Sequence, residues 1–275
     1  MSQSLFPQSN WQRTRTLSAI MFLLGSLASC GVEGIPTRLQ VVSWTGDDQQ
    51  PVALDQVLKV EFNFPLAKPM RASSVELVDE GGHVVDTASV SVVGRWIHIE
   101  PRLPLRADLS DGSLHPNQSY GIRLHGLPWL RALAARDGSL LPKDLILRFH
   151  TADAASAGAL AGRGVESSQL GLLGPSEHEP HVFLRDQPVL LHFSRGIDPR
   201  TLRGKARWQA QGQMEPDFVT LRLIENTFSG AVVEVNIPAW VGGGALELPA
   251  GVEGLGGWPL PESDRVIRMV RRTHH

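Results

Sequence analysis

One short stretch occurs twice in this chain and fixes what it can fold into. Asp55-Gln56-Val57-Leu58-Lys59-Val60-Glu61-Phe62 aligns without gaps on Asp186-Gln187-Pro188-Val189-Leu190-Leu191-His192-Phe193, an offset of 131 residues. In the first copy Leu58, Val60, Phe62 and Phe64 take alternate positions, the period of a strand with one buried face. The match runs on: Leu66 falls on Ile197, and Lys68-Pro69 lies beside Pro199-Arg200. A second matching region sets Gly126-Leu127 and then Leu140-Leu141-Pro142 against Gly254-Leu255 and then Pro259-Leu260-Pro261. Two copies are too few for a solenoid, so the repeat predicts tandem domains.

The rest of the chain reads as short strands and turns. In the first half the candidates are Arg38 to Trp44, Val75 to Val78, Ala88 to Val93, Arg95 to Ile99, Tyr120 to Leu124 and Leu145 to Phe149. Glu80-Gly81-Gly82, Asp111-Gly112, Pro116-Asn117 and Asp137-Gly138 separate them, and each is a turn signal. Leu127 to Ala135 reads as a helical turn within a loop. In the second half Pro188 to Phe193, Ala206 to Ala210, Phe218 to Ile224, Val232 to Ile237, Ala245 to Leu248 and Val266 to Val270 are strand-like, and Gly242-Gly243-Gly244 reads as a turn. Small residues dominate from about Ala152 to Pro180, which predicts a linker. The expected order is an N-terminal segment 1–29, a tether 30–35, a first domain 36–152, a linker 153–180 and a second domain 181–272. The predicted class is all-β, two antiparallel β-sandwiches in tandem.

The first half also carries an ordered series of motifs. Trp96-Ile97-His98-Ile99-Glu100-Pro101 is an apolar strand ending in Pro. Leu114-x-Pro116 followed by Tyr120-x-Ile122-x-Leu124 comes next, then Asp137-Gly138-x-Leu140 and Phe149-x-Thr151. The second half opens with Phe193-Ser194-Arg195-Gly196-Ile197-Asp198-Pro199-Arg200-Thr201-Leu202. This series resembles the bacterial Ig-like domains of the surface-layer-protein type, closely over 36–152 and loosely over 180–272. The second copy lacks the Tyr and the closing Phe-x-Thr. The resemblance implies immunoglobulin-like sandwiches on exported proteins and no catalytic residues. On general grounds a Tyr in such a strand can anchor a loop through its hydroxyl.

The N-terminus has its own logic. Arg13 and Arg15 precede an apolar run from Leu17 to Leu27, and Leu27-Ala28-Ser29-Cys30 follows. The run is about half the roughly 20 residues that a membrane-spanning helix needs. Basic, apolar and then small residues make the layout of an export signal. With Cys at its end, the segment resembles the lipobox of bacterial lipoproteins. That resemblance implies cleavage before Cys30 and a covalent lipid on its thiol. Cys30 is the only cysteine, so no disulfide within the chain competes for it. Gly31, rather than Asp, leans towards the outer membrane over the inner.

Chemistry is sparse elsewhere. The net charge of −2 gives no electrostatic case for nucleic acid. His178 and His181, in Glu177-His178-Glu179-Pro180-His181, are the densest set of metal-ligand types. Pro180 keeps them off a regular helix, and a solvated linker outweighs a metal site. Trp129, Trp240 and Trp258 lie near loops, where exposed indoles can stack on sugars or bury in a partner. The expectation is a lipid-anchored envelope protein, not an enzyme, with a structural, adhesive or surface-presenting role and no cofactor beyond the lipid. The alternatives are a glycan- or protein-binding module of an envelope complex and a metal-assisted enzyme.

Overall fold

The computed structural model describes residues 38–156, 158–161, 169–173, 181–183, 188–237 and 243–271. Alternating apolar residues build its first lobe from β1 (Val41–Trp44), β2 (Leu58–Phe62), β3 (Val75–Asp79), β4 (Thr87–Val93), β5 (Trp96–Pro101), β6 (Ser119–Leu124) and β7 (Leu145–His150). One sheet has the order β1-β2-β5-β4 and the other β3-β6-β7, every pairing antiparallel. Lettered A to G along the chain, these sheets are A-B-E-D and C-F-G, the wiring of a constant-type immunoglobulin sandwich. Leu58, Val60 and Phe62 of β2 and Ile97 and Ile99 of β5 share one core with Leu77, Ile122, Leu124 and Phe149 of the facing sheet. The Tyr120 hydroxyl accepts the His115 backbone N–H at 2.9 Å, and its ring stacks on Phe149. This is the loop anchor that the sequence predicted.

The second lobe comprises β8 (Leu172–Leu173), β9 (His181–Phe183), β10 (Val189–Phe193), β11 (Lys205–Ala210), β12 (Asp217–Thr227), β13 (Gly230–Val235), β14 (Gly243–Glu247) and β17 (Val266–Arg271), with a hairpin of β15 (Glu253–Gly254) and β16 (Trp258–Pro259). The first eight make one sheet in the order β8-β10-β13-β12-β11-β14-β17-β9. Stripped of β9, that is A-B-E-D-C-F-G again. The β12 strand pairs with β11 through Asp217–Thr220 and with β13 through Leu221–Thr227, so it joins what are separate sheets in the first lobe. Its core holds Trp208, the largest fully buried side chain, together with Phe193, Ile197, Val233 and Met269.

The repeat holds at the level of individual hydrogen bonds. Ala67 N–H donates to Ala134 O as Asp198 N–H does to Glu253 O, and Arg136 N–H to Pro65 O as Leu255 N–H does to Gly196 O. Leu141 N–H to Leu133 O matches Leu260 N–H to Val252 O. The residue equivalent to Gly254 is therefore Ala135, since Leu66 bridges Ala135 where Ile197 bridges Gly254. The sequence alignment of Gly126 on Gly254 is out of register, while Leu140-Leu141 on Pro259-Leu260 is correct.

Three expectations change. Residues 127–135 form turns followed by β-bridges at Ala134 and Ala135 rather than a helical turn. The Gly triplet does not make only a turn, because Gly243 and Gly244 belong to β14. A Cβ on Gly244 would lie 2.6 Å from the Trp208 ring and 2.5 Å from Gln209 O, so glycine lets the indole cross the neighbouring strand. The 153–180 segment is not a free linker where it is described. Ala159 and Leu160 join the first core, Leu54 N–H donates to Ala159 O, and Leu170 is fully buried in the second core. The second lobe thus begins before residue 181.

The described residues from Arg38 onward form one compact unit. The second lobe's B–C, D–E and F–G connections meet the first lobe at its A–B and E–F connections and after β7. Asn226 Nδ2 donates to Pro104 O and to Ile197 O, each at 3.0 Å, and Asn226 Oδ1 accepts Ile197 N–H at 2.9 Å. Arg200 Nη1 donates to Ala154 O at 2.8 Å and to Ser156 O at 3.3 Å, while Asp198 holds the rest of its guanidinium. Leu255 is buried in the first lobe's core. The lobes are therefore joined end to end.

Candidate functional site

That junction occupies one end of the first lobe. At the other end lie the connections 63–74, 94–95 and 125–144, and the chain enters β1 there as well. Leu39 N–H donates to Leu140 O, Gln40 N–H to Asn63 Oδ1, and Asn63 N–H to Gln40 O. This outer end carries a polar cluster built around one buried histidine.

At its centre is His125, 2% exposed, just after β6. Its Nε2 lies 3.2 Å from Glu76 Oε2 and its Nδ1 3.5 Å from Asp144 Oδ2. These are ion-pair distances, with neither ring nitrogen well directed for a hydrogen bond. Glu76 also accepts from Arg123 and Arg131, each at 3.1 Å. Burial pushes the Glu76 carboxyl up, but His125, Arg123 and Arg131 together outweigh it and hold the pKa below the ordinary 4.5. Burial likewise opposes Asp144, and the Gly126 N–H, the Trp129 indole and His125 hold it below 3.8. Gly126 is required here, since a Cβ would fall 2.3 Å from the Lys143 carbonyl group.

This cluster fixes the segment Leu127-Pro128-Trp129-Leu130. Trp129 Nε1 donates to Asp144 Oδ2 at 3.0 Å, and the Arg131 guanidinium lies 5.7 Å from the indole centroid. Arg71 Nη1 donates to Leu130 O at 3.0 Å. Its side chains point away from the core: Leu127 is 46% exposed, Trp129 52% and Leu130 93%. A shallow hollow of about 190 Å³ lies alongside, lined by Leu66, Pro69, Met70, Arg71, Leu130 and Leu133. The charges face inward and engage one another, so the arrangement is mechanical. It presents a fixed apolar tip.

Of the predicted site residues, Cys30, His178 and Trp240 lie outside the described residues. His181 begins β9. Trp258 is 44% exposed on β16. It lies in the second lobe's F–G connection, as Trp129 does in the first, so the fold does not gather the tryptophans into one site. Among the described residues no group of three or more His, Cys, Asp or Glu could hold a metal ion. A cleft of about 490 Å³ lies at the lobe junction beside Arg102, Asp111, Asn226 and Phe228. Asp111 there is turned onto the Leu105 and Arg106 N–H groups. Sequence reading missed His125, whose partners lie 49 residues before it and 19 after it. The nearest signal was Gly126 beside a solitary histidine at the end of a strand.

No protein-family model matches the chain, and no curated protein does either. Among solved structures it is similar to the N-terminal part of the bacterial S-layer protein SbsC, with TM-score 0.30, 11% identity, 86% of this chain and 44% of that one covered. It is also similar to E. coli alpha-2-macroglobulin, with TM-score 0.37, 10% identity, 86% of this chain and 14% of that one covered. A third likeness is to the plexin A4 extracellular region, with TM-score 0.22, 12% identity, 86% of this chain and 27% of that one covered. The chain spans less than half of each. These likenesses are too weak to bear on function, and the all-β sandwich class stands on the strand order itself.

Proposed function

We propose that this chain is a lipid-anchored, non-enzymatic protein of the bacterial cell envelope with a structural, surface-presenting role. The observation that carries the reading is Cys30, the sole cysteine, directly behind an apolar run and small residues. Several acyl chains on one residue make an effectively permanent anchor, whereas one alone binds marginally. The end-to-end junction supports a spacing role, since Asn226, Arg200 and Leu255 fix the second lobe on the first. The polar cluster at the outer end also fits, because its groups hold a loop in place.

Cell fractionation tests the anchor. Cys30→Ala is expected to move the protein from the membrane to the soluble fraction, and undiminished membrane retention refutes lipidation. The outer-membrane assignment, from Gly31, is checked by separating inner and outer membranes on a density gradient.

A further inference from the structure

We infer that the outer end of the first lobe is a lipid-facing surface, with Leu127, Trp129 and Leu130 seated in the headgroup layer of the membrane that holds Cys30. The inference rests on the lipid-anchor reading and extends it to an orientation.

Three observations point the same way. The first is where the chain enters the fold. Arg38 leads into β1 at the outer end, through the contacts of Leu39 with Leu140 and of Gln40 with Asn63. Seven residues, 31–37, separate Arg38 from Cys30. Fully extended, that stretch reaches at most about 28 Å. A lipid on Cys30 therefore keeps this end near the bilayer and leaves the second lobe to project away.

The second observation is what this end exposes. A Leu, a Trp and a Leu protrude from one tight loop, and an indole flanked by aliphatic side chains suits the membrane interface. The loop is held from beneath by Asp144, Arg71 and Arg131, so it meets the membrane already ordered. The exposed cations Lys68 and Lys143 lie in the connections beside it, complementary to anionic headgroups.

The third observation is internal. The same end of the second lobe is covered, because it docks on the first lobe through Leu255. The first lobe's residue at that position is Arg136, which is exposed. The uncovered copy lacks the apolar contact that grips a protein neighbour and carries apolar residues on the projecting loop.

Site-specific labelling tests the orientation. In the lipidated protein the Cys30 sulfur is blocked by its lipid, so Leu130→Cys supplies the only free thiol for a polarity-sensitive fluorophore. Reconstitution into vesicles of phosphatidylethanolamine and phosphatidylglycerol is expected to shift this label's emission to the blue and expose it to quenchers on the acyl chains. A label at Met214→Cys, 99% exposed in the β11–β12 connection at the far end of the second lobe, is expected to stay aqueous. A protein that is membrane-bound through Cys30 but keeps its Leu130 label in water overturns the orientation and leaves the anchor standing. Undiminished membrane retention of Cys30→Ala overturns the anchor itself, whereas the weak residual binding of the loop is what the flotation below measures. Shielding at Leu130 in native envelopes but not in pure vesicles assigns the loop to an envelope partner and overturns the lipid contact. Flotation with the same vesicles gives an independent measure. Added to Cys30→Ala, the surface changes Trp129→Ser and Leu130→Ser are expected to cut the bound fraction about tenfold, and an unchanged fraction counts against the proposal.

Discussion

The two lobes share one wiring and differ at an edge and an end. In the first lobe β4 ends the A-B-E-D sheet and never pairs with β3. In the second, the corresponding strand β12 runs to 11 residues and pairs on both sides, with a register shift between Leu223 and Glu225. A few extra residues and a bulge convert two stacked sheets into one continuous sheet that folds over its own core. The ends differ in how one backbone N–H is satisfied. The backbone N–H of Leu66 donates to Gly94 O, whereas that of its counterpart Ile197 donates to Asn226 Oδ1. The side-chain acceptor leaves the Asn226 amide free to donate across to Pro104 O. A backbone-satisfied end is complete in itself; a side-chain-satisfied end can reach a neighbour.

The comparison breaks most visibly in the cores. Phe62 and Phe193 occupy the same position of the repeat and are both fully buried. Truncating either to Ala is expected to cost about 3–5 kcal/mol, read as a loss in chemical-denaturation stability. A much smaller loss for Phe193 means that the second lobe draws its stability from the first, and the symmetry is then only topological. The junction comes next. Asn226→Ala strips two carbonyls and one buried N–H of their partner, at a cost of about 2–3 kcal/mol. A loss below about 0.5 kcal/mol removes Asn226 as the joining residue. Tyr120 has no counterpart in the second lobe. Tyr120→Phe leaves the His115 N–H without its acceptor and is expected to cost about 1 kcal/mol; no loss on melting means that the hydroxyl anchor is ornamental.

What could be read from the sequence follows from how local each cause is. The β2 and β10 strands declare themselves because alternation is written within five residues. Tyr120 was legible because its acceptor bond closes over five residues, and the equivalence of Leu66 and Ile197 followed from the repeat, although the residues that they bridge, Ala135 and Gly254, did not. Gly243 and Gly244 misled because their reasons for being glycine lie on adjacent strands: the Met269 carbonyl for Gly243 and the Trp208 ring for Gly244. Leu170 and Leu160 hid among small residues, since a chain that looks like a linker by composition can still place single apolar side chains in two cores. His125 was invisible for the same reason on the polar side. Its burial depends on Glu76 and Asp144, which only the fold brings to it.

The weakest expected contrast is in acid. Glu76 and Asp144 both lie at the first lobe's outer end, and both have folded pKa values below their ordinary 4.5 and 3.8. The unfolded chain therefore binds more protons in acid than the folded one. The stability that these groups contribute is present in full above the ordinary values and is lost as pH falls below them and through the lowered folded values. Arg123, Arg131 and His125 face Glu76, and Trp129 and His125 face Asp144, so protonation loosens the F–G connection first. Hydrogen exchange followed from pH 6 downward, corrected for intrinsic rates, is expected to show β6 and β7 losing protection before β10 and β13. Glu76→Gln is expected to flatten that dependence at the cost of lower stability at neutral pH. Loss of protection in β10 and β13 first places the acid-labile contacts in the second lobe and dissolves the contrast between the two ends.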